Sequence, residues 1–138
     1  MNKKLLLFLF PLLLSACSIS SKLKAPDPCS PPEIIKNLDP IKEIDHKFDD
    51  AYKLASNTPR ISLSLVISDL QGIRREAEQL EVPSCAVRTK EALIAYMDKA
   101  IEGFLQFMSN DIDYVSTFSE AQTMEYSYWD EYRTLIQL

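Results

Sequence analysis

The sequence predicts an all-α domain, an antiparallel up-down-up-down four-helix bundle, on three observations. Apolar residues recur at spacings of three and four from about residue 32 to the end, the period of one face of an α-helix. Short breakers at Asn57-Thr58-Pro59, Val82-Pro83-Ser84 and Ser109-Asn110-Asp111 divide that pattern into four segments. Only two glycines occur in 138 residues, and no run alternates apolar with polar as a half-buried strand does.

The first segment, about Pro32 to Ser56, aligns Ile34, Leu38, Ile41, Ile44, Phe48, Ala51 or Tyr52, and Ala55 on one face. Thr58 stands where it can cap the second helix, with Pro59 at a first helical position that needs no N–H, and Val82-Pro83-Ser84 is a second breaker and cap, ahead of the third helix. The second segment, to about Glu81, sets Leu63, Val66, Leu70, Ile73, Ala77 and Leu80 at 3-4-3-4-3 spacing, which is a bundle seam. The third, about Ser84 to Met108, carries Leu93, Met97, Ala100, Phe104 and Phe107 on one stripe. Ile94, Ile101, Leu105 and Met108 form a neighbouring stripe, which predicts the most buried helix. The fourth begins between Ile112 and Thr117 and carries Phe118, Ala121, Tyr128, Tyr132 and Leu135. Very short turns make consecutive helices antiparallel, so the first and third helices start at the same end. Gly72 and Gly103 each cost about 1 kcal/mol relative to alanine inside a helix. Close helix packing is the expected reason for either.

Ahead of the helical region stand Lys3 and Lys4, then the apolar run Leu5 to Leu14 interrupted by Pro11. The run is too short to cross a bilayer core of about 30 Å and reads as a secretory signal peptide. It ends Leu14-Ser15-Ala16-Cys17, a tetrad that resembles the lipobox of bacterial lipoproteins. The resemblance covers residues 1–20 and implies diacylglycerol on the Cys17 thiol, cleavage after Ala16 and acylation of the new amine. Two or more buried acyl chains give stable anchoring, so the chain is expected on a membrane surface of the bacterial envelope. Ser18, rather than Asp, after the lipidated position favours the outer membrane. The expected organisation is a signal peptide at 1–16, a lipidated Ser/Pro-rich spacer at 17–32 and a bundle at 33–138. The run from Thr58 to Arg88, with Met97 to Met108, resembles small uncharacterised helical lipoproteins of bacteria and implies nothing beyond the fold.

Removing 16 residues from 138 leaves 122, one small domain. Losing Lys3 and Lys4 from the 15 basic residues leaves 13 against 20 acidic, a net charge of −7. Such a chain is poorly matched to nucleic acid and to anionic head groups, both of which reward basic clusters. Cys29 and Cys85 remain as an even pair in an oxidising compartment and are expected to be bridged. One lies just before the first helix and the other at the start of the third, so the bundle topology brings them to the same end.

Nothing in the sequence carries a recognised catalytic signature: GxSxG, HExxH and a glycine-rich phosphate loop are all absent. His46 has Glu43, Asp49 and Asp50 at helical spacing. A di-iron bundle needs Glu-x-x-His from two helices, and only Glu43–His46 exists. His46 and its acidic neighbours therefore read as a solvated face, with no metal or cofactor expected, and the protein as a non-enzyme. Arg74, Arg75, Glu76, Glu78 and Glu81 read as a salt-bridged outer face.

The last helix is the candidate working face. Tyr128, Tyr132 and Leu135 continue its core seam, whereas Tyr126, Trp129, Arg133 and Ile136 form a second stripe at 3-4-3 spacing. Tyr, Trp and Arg are the residue types enriched at binding hot spots. Two readings follow. The first is an anchored interaction module that docks a protein partner in the envelope through this face. The alternative is a binder of a small apolar ligand or pigment between helices lined by Phe104, Phe107, Phe118 and Tyr128.

Overall fold

The computed structural model describes residues 26–137, so the signal peptide and the candidate lipidation site Cys17 lie outside the described residues. Four helices follow one another: α1 Pro31–Ser56, α2 Leu63–Gln79, α3 Val87–Ser109 and α4 Tyr114–Ile136. Single 3-10 turns at Arg60–Ser62 and Ser84–Ala86 lead into α2 and α3. No strand occurs among the described residues, and the helices pack as a four-helix bundle.

The expected apolar faces form the core. Leu38, Ile41 and Phe48 of α1, Leu63 and Leu70 of α2, Leu93, Met97 and Ala100 of α3, and Tyr128 of α4 are almost wholly buried. The most extensively buried helix is α3, as its double stripe predicts, although Leu105 and Met108 at its far end are exposed. Pro40 sits inside α1 with its ring exposed, so the backbone bond it cannot make is on the solvent side.

The starts of two helices differ from expectation. Thr58 does not cap α2; its hydroxyl donates to the Leu54 carbonyl and finishes α1, and α2 begins only after the 3-10 turn. Ser84 likewise makes no cap bond, and α3 begins at Val87. Proline at 59 and at 83 favours an extended backbone before each turn, so the chain enters through 3-10 geometry rather than through a capped first turn. The third turn behaves as read. Asn110 takes the left-handed conformation with φ 62°, and Asp111 N–H donates back to the Gln106 carbonyl.

Specific cross-links fix the helices against one another. Arg74 of α2 holds Asp98 of α3 through Nε at 2.8 Å and Nη2 at 3.0 Å, and also pairs with Glu78. Lys90 of α3 donates to the Glu78 and Leu80 carbonyls and satisfies the end of α2. Arg60 donates to Asn110 at 2.6 Å and stacks over the Phe107 ring, joining the first turn to the third. Between α3 and α4, Arg88 meets Glu131, Lys99 meets Glu120 and Gly103 meets Phe118, rising numbers on one helix meeting falling numbers on the other. Cys29 and Cys85 form a disulfide with their Cα atoms 6.0 Å apart, tying the start of α1 to the start of α3.

The two helical glycines are not equivalent. A Cβ on Gly103 would lie 2.7 Å from the Phe118 ring, so α4 approaches α3 closely only because no side chain stands there. A Cβ on Gly72 would meet only the end of Arg75 at 3.8 Å, and packing gives no reason for that glycine. Gly72→Ala is therefore expected to raise stability by about 0.5–1 kcal/mol. Gly103→Ala is expected to lower it by about 1–2 kcal/mol, because overpacking outweighs the gain in helix propensity. Equilibrium urea unfolding of the two variants checks both signs.

Candidate functional site: the cleft between α1 and α4

Helix α4 packs along the whole of α3, and α2 packs on both α1 and α3, but α1 and α4 touch only sparsely. Their seam is open. Two adjoining recesses occupy it: one of about 390 Å³ lined by Asp49, Tyr52, Tyr96, Phe118 and Glu125, and one of about 160 Å³ lined by Asp45, His46, Asp49, Tyr96, Glu125 and Trp129. Asp49, Tyr96 and Glu125 belong to both, so the recesses form one acidic and aromatic cleft. A third recess of about 320 Å³ continues from it past Tyr52 and Phe118 to Phe104, Phe107 and Tyr114.

The cleft is built from the helical period. Asp45 lies four residues after Ile41 and three before Phe48, the spacing of the buried stripe itself. Its side chain therefore points inward among apolar neighbours and is 7 % exposed. No hydrogen bond or ion pair links it to another described residue. Burial pushes its pKa up to about 6; nearby His46 works against the rise, and the Asp49 and Glu125 charges add to it. Glu125 enters from α4 and also has no cationic partner among the described residues. Asp49, by contrast, is paired with Lys53.

Aromatic rings form the walls. Tyr96 packs edge-on against Phe48 at 5.5 Å between centroids, and Trp129 packs on Tyr128 at 5.0 Å and Tyr132 at 5.6 Å. Farther along, Tyr52, Phe104 and Phe118 form a three-ring cluster. Burial and then the Glu125 charge raise the pKa values of Tyr52 and Tyr96, so both phenols stay protonated at neutral pH. The Tyr128 hydroxyl is buried without a partner among the described residues, and burial and the Asp45 charge raise its pKa too.

The candidate residues of α4 separate on inspection. Tyr126 and Ile136 are exposed at 65 % and 45 %, and Arg133 is exposed with Asp130 at 3.7 Å. Trp129 is half-buried and packs against the core while lining the cleft. At 100° per residue Trp129 stands about 60° nearer the core line than Tyr126, which splits the stripe. His46 is exposed at the cleft mouth, and its neighbour Asp45, rather than Glu43 or Asp50, is the buried acid. Sequence reasoning passed over Asp45, although its spacing from Ile41 and Phe48 marks it as an inward position. Of the aromatic residues expected around a ligand, Phe104, Phe107 and Phe118 line the third recess, and Tyr128 lies away from it in the core.

Among the described residues no three His, Cys, Asp or Glu side chains are grouped to hold a metal ion. No described helix is long and apolar enough to cross a membrane. Comparison of the chain with protein-family models, with curated proteins and with solved structures finds no match.

Proposed function

We propose that the chain is a bacterial envelope lipoprotein, anchored through acyl chains on Cys17, whose helical domain is a binding module and not an enzyme. The anchor rests on the tetrad ending at Cys17. The binding role rests on one structural observation: α4 is packed mainly on α3, meets α1 only sparsely, and carries an aromatic and cationic outer face beside an open cleft. A protein partner in the envelope is the first occupant considered for that side of the bundle, with Tyr126, Arg133 and Ile136 as its exposed contacts and Trp129 at their edge. The apolar recess at Phe104, Phe107 and Phe118 supports the second reading, a small apolar ligand held between helices.

Two variants test the proposal. Cys17→Ser is expected to abolish lipid labelling and release the protein from membranes; unchanged labelling and fractionation would rule out the anchor. Tyr126→Ala combined with Arg133→Ala is expected to weaken partner capture from detergent-solubilised membranes while moving stability by less than about 0.5 kcal/mol, as exposed substitutions do. Trp129 is the wrong residue for this test because its loss disturbs Tyr128 and Tyr132. Capture unaffected by the double variant would remove the docking face.

A further inference from the structure

We propose that the α1–α4 cleft is a binding site for an organic cation, an alkylammonium group on an apolar body, held by Asp45 and Glu125 between the rings of Tyr96 and Trp129. The inference rests on the reading that this side of the bundle binds, and needs neither the lipid anchor nor a protein partner.

The first support is Asp45. It is more than nine-tenths buried, lines the cleft and has no partner among the described residues. A buried polar group without a partner costs stability, and a buried carboxylate costs more than a neutral group. Two nearby acids are matched, Asp49 by Lys53 and Glu120 by Lys99. Asp45 and Glu125, neither of them matched, sit on opposite walls of one cleft, and the Glu125 charge raises the cost of charging Asp45. A ligand carrying positive charge between the two carboxylates offsets that cost.

The walls define the rest of the ligand. Tyrosine and tryptophan faces attract cations through their ring quadrupoles, most strongly where water is excluded. The acids are too dispersed for a bare metal ion, since no three of them are grouped for ligation among the described residues. The adjoining recesses of about 390 and 160 Å³ have room for a group of several heavy atoms. A neutral apolar ligand would leave Asp45 buried and unpaired, and an anion would add a like charge.

Trp129 is the only tryptophan in the chain, so its emission reports the cleft directly. The experiment titrates the full-length protein, in a neutral maltoside detergent at pH 7.5, with choline and with hexylammonium. The controls are sodium chloride at matched ionic strength and 3,3-dimethylbutan-1-ol, the neutral isostere of choline. The expected result is a saturable change in emission with at least one cation, absent with the alcohol and with sodium. Affinity is expected to fall about tenfold or more in Asp45→Asn, and also in Glu125→Gln, each of which keeps side-chain volume while removing charge. No saturable response to either cation overturns the proposal, as does an equal response to the alcohol or unchanged affinity in both variants. A silent titration together with Tyr126- and Arg133-dependent partner capture would overturn this site and leave the docking reading intact. A positive titration without capture would do the reverse.

Discussion

Replacing both Cys29 and Cys85 with serine is expected to lower stability by about 4 kcal/mol, the chain-entropy value for a bridge across 56 residues. Domains of this size have only about 5–15 kcal/mol in total, so the loss takes a large share. The thermal midpoint should fall by roughly 20 °C. The loss should also be uneven. Helix α1 packs closely on α2 but meets α3 and α4 sparsely, so the bridge is the main tie between its start and the rest of the bundle. Hydrogen exchange should accelerate most around Ile34 and Leu38, whereas the long α3–α4 interface stays protected. A midpoint shift below about 5 °C, or uniform loss of protection, would show that apolar packing alone seats α1.

Much of this architecture is legible in the sequence because it is written in a single period. The α2 seam from Leu63 to Leu80 and the α3 stripe from Leu93 to Phe107 depend only on residues three and four apart, and burial of side chains along one face follows. The Cys29–Cys85 pairing was legible because bundle topology and cysteine count point to the same contact. Helix starts were less so: Thr58 and Ser84 have cap chemistry, but the prolines beside them set a backbone path that no cap preference overrides. The cleft is a relation between helices. Whether Glu125 faces Asp45 depends on the rotation of α4 about its own axis and on its separation from α1, and neither quantity is encoded within either helix. Only one part of it was readable in advance, the acid at an inward position four residues after Ile41. Such a residue breaks the local rule of the core, and positions that do so are where binding function concentrates.

Asp45→Asn is expected to make the protein more stable at pH 7.5 and to change it little at pH 4. The folded-state pKa of Asp45 is about 6 against an ordinary 3.8, so between these values the folded chain holds a proton that the unfolded chain has released. Stability from this group is therefore full below about pH 4, declines as pH rises toward 6, and is lost above it. Each pKa unit corresponds to about 1.4 kcal/mol, and the two-unit shift is discounted to about 1–2 kcal/mol because solvent reaches the cleft mouth. Other ionisable groups face Asp45: His46 and Asp49 on α1, Tyr96 on α3, and Glu125, Tyr128 and Tyr132 on α4. Comparing native and variant proteins at each pH removes their shared contribution, leaving the difference curve to report Asp45. Urea unfolding at half-unit intervals from pH 4 to 8 should give a difference that is near zero at first and rises through pH 5–6 to a plateau. A flat difference would mean that burial imposes no charge penalty at this position. A plateau that collapses when choline is added would mean that the cation stabilises the native protein and not the variant, recovering in the bound state what the ionised carboxylate costs in the empty one.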